Sequence, residues 1–226
     1  LIEQIARVTN IDAVELRRRN FIPPEAFPYK SATGVTYDSG DYLAALDALN
    51  AFVDMDSVNE RVAELRAQGL LAGAGIGAFV EPSGGGWDSA EVRMSPTGAV
   101  TVSLGVSPHG QGTDISIGQL VADELGVPLE SITVRSGDTD TTPQGIGTFG
   151  SRSLTLGGGA AIFAARKVFD KLRIIAGAML EVSPDDIEIA EGKAHVVGAP
   201  DRSLPLARIA AAAHGTGKAP GGVDPG

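Results

Sequence analysis

The 226-residue sequence contains no cysteine. This absence excludes disulfide bonds, a cysteine nucleophile, a thiolate zinc site and an iron–sulfur cluster held by this stretch of chain. No apolar run is long and uninterrupted enough to cross a bilayer, which argues against membrane insertion. Positive charge is scarce, because the net charge is −10 and the pI is near 4.7. A broad nucleic-acid surface is therefore not expected, although a local basic patch at Arg17, Arg18 and Arg19 remains an open alternative.

Histidine is scarce as well, and the three present are His109, His195 and His214. No two of them have the spacing that places metal ligands on one face of a helix, so a zinc hydrolase is not expected. We expect His195, in a predicted strand, and His214, near the tail, to be structural or solvent-facing. His109 differs because it lies in a glycine-rich loop, where its backbone is expected to matter more than acid–base chemistry of its ring.

Several common catalytic motifs are missing too. The sequence has no nucleophile elbow, no Walker loop and no dinucleotide fingerprint. The run Gly73-x-Gly75-x-Gly77 follows no predicted strand and opens no helix, so its interpretation as a nucleotide loop is weak. Asp138 and Asp140 are a possible metal site, but an Asp-rich turn after a strand is the commoner explanation.

Hydrophobic residues make up 43% of the chain, which argues for a folded protein. Helical periodicity dominates the first third, and alternating strand patterns begin near residue 70, so the predicted class is α+β. We expect a helical N-terminal segment over 1–68 with an ordered, irregular Pro/Gly connection between Phe21 and Gly40. A mixed strand-and-helix portion follows over 69–214, and 215–226 has the composition of a linker.

Local signals place the individual elements. Asp12 is predicted to cap a helix through the amides of Val14 and Glu15. The other predicted helices are 41–53, 57–68, 113–125, 154–180 and one from Leu204. The predicted strands are 71–80, 89–94 and 99–106, read as an antiparallel meander, then 132–135 and a hairpin of 187–189 with 194–197.

The most informative feature is a pair of loops, Ser107–Thr113 and Thr148–Ser153, each of which opens a predicted helix. Helix N-termini offer unpaired N–H groups and partial positive charge, and glycines let a ligand approach the backbone. The loops therefore favour a large anionic, phosphate-bearing ligand. For the second loop, a self-satisfying helix cap fits the residues equally well. Gly157, Gly158 and Gly159 nearby suggest close packing or ligand approach, with a loose first turn as the alternative.

The two ends suggest a piece of a longer polypeptide. Residue 1 is Leu rather than Met, and Leu1, Ile2, Ile5 and Val8 already fall at helical spacing. The alternative is an ordinary protein that lacks its initiator and a few terminal residues.

A set of motifs then resembles one family. Their order and spacing resemble the molybdenum-cofactor-binding large subunit of the xanthine oxidase family, nearest to carbon monoxide dehydrogenase large chains. The motifs are Glu15–Ile22, Gly40-Asp41-Tyr42, Glu81-Pro82-Ser83-Gly84-Gly85, His109-Gly110-Gln111-Gly112, Ala122–Gly126, Gly137–Thr141 and Gly150-Ser151-Arg152-Ser153.

This resemblance implies roles for both loops. Gln111, the candidate catalytic residue, would hydrogen-bond an oxo ligand of the molybdenum, as a neutral amide can without competing as a strong ligand. His109, Gly110 and Gly112 would bring backbone to the dithiolene and pterin. Thr148, Gly150, Ser151, Arg152 and Ser153 would hold the pterin and its phosphates, with Arg152 adding charge to the phosphate clamp.

The resemblance also implies what this sequence does not contain. The family's general base is a glutamate in a Gly-x-Gly-Glu motif near the end of the large subunit, and no such motif occurs here. A second active-site loop, with an Arg and in carbon monoxide dehydrogenases a cysteine, lies upstream of this sequence. Iron–sulfur clusters and FAD belong to other domains or subunits, so electrons would leave through a partner.

The expected function is that of a central portion of a molybdenum hydroxylase large subunit, inactive alone and cytoplasmic. Its parent would oxidise carbon monoxide, an aldehyde or a heterocycle, with molybdenum–molybdopterin in the cytosine dinucleotide form. Expected partners are the rest of the large subunit, iron–sulfur and flavin subunits and a small-molecule substrate. Self-association of the fragment would follow from its uncovered apolar surface. The alternative is a non-catalytic cofactor carrier or structural subunit.

Overall fold

The computed structural model describes residues 1–82 and 84–224 and divides into two compact units, Leu1–Phe79 and Val80–Gly226. The division lies 11 residues beyond the 68/69 boundary expected from composition, because the extended stretch after residue 69 belongs to the first unit. The mixture of helices and small sheets confirms the α+β class. Across the described ranges, every helix is too short or too polar to cross a membrane.

The first unit contains four helices with predominantly aspartate caps: α1 Ile2–Thr9, α2 Ala13–Asn20, α3 Tyr42–Phe52 and α4 Met55–Ala67. The Asp12 carboxylate accepts from Val14 N and Glu15 N at 2.9 Å, so the predicted cap is confirmed. Asp41 and Asp54 cap α3 and α4 in the same way, since each carboxylate satisfies first-turn amides that have no partner within the helix.

The connection between α2 and α3 is ordered, as predicted. It contains a one-turn 3₁₀ helix, Pro24–Ala26, and two short antiparallel strands, β1 Tyr29–Lys30 and β2 Thr36–Tyr37. Tyr42 fixes it in place, because the rings of Phe21, Phe27 and Tyr37 all meet the Tyr42 ring edge-on. Aromatic packing thus adds to the short regular elements in holding this connection.

The local basic patch that the sequence left possible at Arg17–Arg19 does not form, because each arginine pairs with an acid. Arg17 is buried, ion-pairs with Glu3 at 3.1 Å and donates to the carbonyls of Ala13 and Ile76. Arg18 pairs with Asp47, and Arg19 pairs with Glu15. A run of like charges in sequence points in different directions on a helix, so these side chains neutralise three separate acids.

The predicted strand at 71–80 is also wrong. Residues 70–82 run without sheet pairing, and Leu71 and Phe79 are exposed. A strand needs a neighbouring strand for its backbone hydrogen bonds, which an alternating apolar pattern alone does not provide. Among the described residues, no strand pairs with this stretch.

The second unit is built on a three-stranded sheet of β3 Ala90–Met94, β4 Val100–Leu104 and β5 Ile132–Arg135. β3 and β4 are antiparallel, whereas β4 and β5 are parallel because helix α5, Thr113–Leu125, crosses between them. Of the predicted meander 71–80, 89–94 and 99–106, the antiparallel pair β3–β4 is confirmed and the strand at 71–80 is absent, while β5 joins the sheet through the β4–α5–β5 crossover. The predicted bounds of α5 and β5 are confirmed.

A second small sheet follows the longest helix. A π-helical turn, Ser153–Gly158, leads into α6 Gly159–Leu180, and then come β6 Ile187–Ala190, β7 Lys193–Val196 and β8 Ala199–Pro205. The predicted hairpin is confirmed. β8 was not predicted, and the final helix α7, Leu206–Ala213, starts after Pro205 rather than at Leu204.

One hydrophobic core joins these elements. Val102 and Leu104 of β4, Ile117 and Leu125 of α5 and Ile209 of α7 are fully buried in it. The apolar stripe of α6, including Leu172 and Ile175, packs against the same cluster. The sheet thereby fixes the starts of α5 and α6 relative to each other.

Part of the predicted 215–226 linker is structured. Pro220–Gly222 form a 3₁₀ turn, Ala219 is buried, and Val223 packs against the core. Gly221 lies so close to Ile174 of α6 that an added Cβ would approach its side chain to 2.8 Å. Small residues that look like a linker in sequence thus permit close packing, while residues 225–226 lie outside the described chain.

We predict that Ile117→Ala lowers the free energy of unfolding by about 2–5 kcal/mol, because it opens a cavity in a closed core. Ile115→Ala is the matched control, since Ile115 lies on the same helix with 64% of its surface exposed. The control should change stability by no more than about 0.5 kcal/mol. Denaturant unfolding of both variants measures the difference, and equal losses would contradict the placement of the core.

Candidate functional site

The first predicted loop connects β4 to α5. Gly110 has φ 108° and Gly112 has φ 81°, and a Cβ built on either glycine meets no atom within 4 Å. Both positions therefore need glycine for conformation and leave open space beside the backbone. Gly112 is the N-cap of α5 and contributes no side-chain cap, so the first-turn amides of α5 have no side-chain acceptor.

The Gln111 side chain folds back onto its own loop. His109 N donates to Gln111 Oε1 at 2.7 Å, which fixes the plane of the carboxamide. With the oxygen engaged, the Nε2 amide group is the part of the side chain that can donate to a ligand. Gln111 is exposed, so that donor is accessible.

The second predicted loop precedes the π-helical turn. Gly150 and Ser151 both adopt left-handed conformations, with φ 53° and 52°. Ser153 Oγ donates to Thr148 Oγ1 at 3.0 Å, and the following helical segment has no side-chain cap. The loop is therefore not a self-satisfying helix cap, which was the alternative left open by its sequence.

The two loops lie side by side. His109 Nε2 lies 3.3 Å from the Thr148 carbonyl oxygen, and Val106, which precedes the first loop, packs on Gly157. Two helix starts, separated in sequence by a strand and a turn, therefore open next to each other. The structure brings the predicted site residues together, and their cofactor-binding roles remain predictions.

Close packing explains two of the three consecutive glycines. A Cβ on Gly157 would lie 3.0 Å from Val106, and one on Gly158 would lie 3.0 Å from Leu120 of α5. Gly159, by contrast, has no neighbour within 4 Å of an added Cβ. Gly157 and Gly158 thus allow the π-helical turn to approach the first loop and α5, and the loose-turn alternative is wrong for them.

The phosphate-clamp role predicted for the Arg152 side chain is wrong. Only 1% of Arg152 is exposed, and its Nη1 lies 2.8 Å from Asp88 Oδ2, where the Asp88 side chain is fully buried. The same guanidinium donates to the carbonyl oxygens of Gly85, Trp87 and Gly147. Its charge is neutralised by Asp88, and its backbone is engaged as well, since Arg152 N donates to the Phe149 carbonyl oxygen and Leu156 N donates to the Arg152 carbonyl oxygen.

Sequence reasoning missed Asp88 and Asp114. A buried arginine needs a counter-charge, and Asp88 at the end of a Gly-rich stretch could have been suspected on that ground. Asp114 lies in the first turn of α5, and its Oδ1 is buried without a hydrogen-bond partner among the described residues. It is an acceptor beside the uncapped helix start. Ser83 of the resemblance motifs lies outside the described residues.

The other candidate residues have structural roles. Asp138 forms a turn, since its carboxylate accepts from Asp140 N at 3.0 Å and from Thr141 Oγ1 at 2.9 Å. These hydrogen bonds hold the pKa of Asp138 below its usual range, with the backbone amide of Asp140 as the largest cause. His195 lies 3.3 Å from Glu188, and His214 Nε2 lies 3.0 Å from the Met94 carbonyl oxygen.

A groove of about 1150 Å³ runs between β3 and α6, lined in part by Arg93, Lys167 and Lys171. None of the predicted loop residues lines it, so its volume does not describe the candidate site. Across the described residues, no three potential metal ligands of the His, Cys, Asp or Glu type cluster together. The loops therefore offer backbone and neutral donors rather than a metal-ligand set.

Comparison with known proteins gives concordant matches. A profile for the molybdopterin cofactor-binding domain matches residues 48–223. The carbon monoxide dehydrogenase large chain of Hydrogenophaga pseudoflava is 37% identical, over 100% of this chain and 30% of that one. The nicotine 6-hydroxylase large subunit of Paenarthrobacter nicotinovorans is 36% identical, over 100% of this chain and 29% of that subunit.

A solved structure agrees with these matches. The crystal structure of quinoline 2-oxidoreductase from Pseudomonas putida 86 superposes with a TM-score of 0.71 at 36% sequence identity. The superposition covers 95% of this chain and 29% of that one. The chain thus spans only about 30% of the length of the relatives it matches.

We predict that Gly145→Ala destabilises the second unit by about 1–3 kcal/mol through overpacking. A Cβ at Gly145 would lie 2.3 Å from the Gly105 carbonyl oxygen, and backbone cannot rotate away as a side chain can. Gly159→Ala is the control, because its Cβ would meet nothing within 4 Å and alanine favours a helix. Thermal unfolding of both variants should move in opposite directions, and a neutral Gly145→Ala would contradict the close approach.

We also predict an acid-side loss of stability through Asp138. Because the folded-state pKa of Asp138 is lowered, its contribution is present above the unfolded-state pKa and disappears as the pH falls below the ordinary aspartate range. Asp138→Asn should therefore lower the free energy of unfolding at neutral pH. The fall of that free energy at acidic pH should be shallower in the variant than in the wild type. Asp140→Asn should change the curve less, since Asp140 serves this turn through its backbone N–H. Denaturation across pH tests this, and identical acid limbs in wild type and Asp138→Asn would refute it.

Proposed function

This chain belongs to the molybdopterin cofactor-binding domain family, and from that premise we propose that its two loops hold one side of a molybdenum–pterin cofactor. The premise also confirms the resemblance seen in the sequence motifs. We further propose that the chain forms a central part of a molybdenum hydroxylase large subunit. The supporting relatives are oxidoreductase large subunits that are much longer than this chain.

One observation carries the proposal: two uncapped helix starts open side by side. The start of α5 at Gly112 and the helical start at Arg152 both lack a side-chain cap. The 3.3 Å approach of His109 Nε2 to the Thr148 carbonyl oxygen joins their loops. Unpaired first-turn amides and the partial positive charge of each helix favour phosphate oxygens at this place.

The residues present fit such a cofactor. Open space beside Gly110, Gly112 and Gly150 allows a flat ligand to approach the backbone closely. Asp114 Oδ1, a buried acceptor without a partner, suits a ring that carries N–H donors, as a pterin does. The available donors are backbone amides, hydroxyl groups and one carboxamide, a set that binds a preformed metal complex without competing for its metal.

Each loop has a distinct role in the proposal. The carboxamide of Gln111, oriented by His109 N, donates from Nε2 toward the ligands of the metal. The backbone at Gly110 and Gly112 lies against the dithiolene and pterin, and the segment Thr148–Ser153 holds the pterin phosphates. When bound, the cofactor would supply a two-electron oxidation that uses oxygen derived from water.

The parent protein would add the remaining parts. We propose that a glutamate base and an arginine-bearing loop come from other segments, and that iron–sulfur and flavin partners accept the electrons. The cytosine dinucleotide form of the cofactor and a cytoplasmic location remain predictions. The names of the relatives suggest carbon monoxide, nicotine, quinoline or an aldehyde as substrate classes.

A purification of the complete protein tests this function. We expect close to stoichiometric molybdenum and pterin in it, and substrate-dependent dye reduction with one of those substrate classes. The 226 residues alone should reduce no dye. Cofactor without turnover in the complete protein would favour the non-catalytic carrier, and absence of molybdenum would reject the proposal.

We predict that Gln111→Ala in the complete protein lowers the turnover number by roughly 100-fold while the molybdenum content stays near that of the wild type. The estimate takes the loss of one preorganised donor at a reacting centre as its guide. Gln119→Ala is the matched control, because Gln119 is an exposed glutamine on α5 outside both loops. Steady-state dye reduction and metal analysis give both readouts. Equal turnover in the two variants would remove Gln111 from the site.

A further inference from the structure

Asp88 has no role in the function described so far, yet it is a fully buried carboxylate beside the candidate site. Its Oδ2 lies 2.8 Å from Arg152 Nη1, and its Oδ1 accepts from Ser89 N at 2.9 Å. Because Nη1 also donates to the Gly147 carbonyl oxygen, the contact between Arg152 and Asp88 is mainly one of charge. Asp88 is the acid that neutralises the buried arginine of the second loop.

The space for this carboxylate is built by backbone. A Cβ on Gly105 would lie 2.5 Å from Asp88 Oδ1 and 2.7 Å from the Cα of Gly145. Ser89 Oγ also donates to the Gln144 carbonyl oxygen, which ties the segment after Asp88 to the segment before the second loop. Three chain segments therefore pack tightly around one ion pair.

Arg152 links these segments to the second loop. Its guanidinium donates to the carbonyl oxygens of Gly85 and Trp87 on one side and of Gly147 on the other. Gly84 N donates to the Gly150 carbonyl oxygen at 3.3 Å and adds a backbone link between the same two segments. The loop over 147–152 is thereby held from both of its ends.

The loop needs such restraint because it is strained. Ser151 is a non-glycine residue in the left-handed region, and Gly150 before it has the same conformation. Left-handed conformations of non-glycine residues persist where the surroundings over-determine them. Arg152, the next residue, returns to right-handed helical geometry, and its own N–H donates to the Phe149 carbonyl oxygen. The amides that such a change of backbone conformation can turn toward an anion are therefore those of the neighbouring loop residues.

A buried ion pair is a weak source of stability, because the cost of removing both charges from water offsets much of their attraction. The presence of the Arg152–Asp88 pair is better explained by the loop conformation that the pair holds in place. We propose that Asp88 is a positioning residue: acting through Arg152, it holds the second loop in the strained conformation that presents its backbone to the cofactor. This inference rests on the proposed function.

The test compares three variants in the complete protein with bound cofactor. Asp88→Asn keeps the shape of the side chain and leaves Arg152 buried without a counter-charge, so both stability and cofactor retention should fall. The double variant Asp88→Leu with Arg152→Met removes both charges and should recover part of the melting temperature lost in Asp88→Asn, because no charge stays buried alone, although three carbonyl groups lose their donor. Glu124→Gln is the control, since it removes the charge from the partly exposed pair between Arg166 and Glu124.

Cofactor retention separates positioning from stability. We expect the double variant to lose molybdenum and pterin about 10–100-fold faster than the wild type, the range seen when groups that orient ligands are removed. Glu124→Gln should match the wild type. Retention in the double variant that recovers together with its melting temperature would show that the pair serves stability alone and would overturn the inference.

Hydrogen exchange gives a second readout that does not depend on the cofactor. In apo protein, Asp88→Asn should speed exchange in the peptide covering 147–153 while β4 stays as protected as in the wild type. This measurement decides the matter even if the double variant folds poorly, because uniform loss of protection or none at 147–153 would contradict a local role. A wild-type protein without molybdenum would reject the proposed function, whereas a retained cofactor in the double variant would reject only the role of Asp88.

Discussion

The buried contact between Arg152 and Asp88 is the constraint on which the architecture of the site depends. One guanidinium satisfies three backbone carbonyls from two chain segments, and one carboxylate balances its charge. Burying such a pair is costly unless every group around it is satisfied. Gly105 and Gly145 pack closely beside this carboxylate, where larger residues would displace it or separate the segments. The conformation of the second loop therefore depends on the contacts of Arg152 with Asp88 and with the 85–87 segment, and not only on the sequence of the loop.

This arrangement changes how the protein can recognise an anion. The net charge is −10, and the one arginine within the second loop is neutralised by Asp88. In the proposed function, phosphate recognition would depend on backbone amides at two helix starts, which offer directional donors and partial charge without a formal cation. Neutral donors also suit a large cofactor with both charged and uncharged parts, because they orient it without a strong pull on any one group. The acidic composition and an anionic ligand are thus compatible.

Local signals in the sequence predicted many of the helices and strands. The Asp12 cap, the bounds of α5 and the hairpin of β6 with β7 depend on neighbouring residues, and the structure confirms them. Pairing between distant segments could not be predicted in the same way. The stretch 71–80 has the alternation of a strand but no partner among the described residues, and β8 pairs with β7 despite a proline at its end. The two loops were found as candidates because glycine and helix-start chemistry is local.

The direction of the Arg152 side chain could not be predicted from the sequence. The family resemblance implied that the Arg152 side chain contacts a phosphate. In the structure, the guanidinium instead lies against Asp88 and donates to three carbonyl oxygens, with its charge balanced by one buried carboxylate. The residue that decides the outcome lies far away in the chain. Its side chain therefore serves the site by shaping the loop, and the contacts available to a ligand are those of the backbone that it holds.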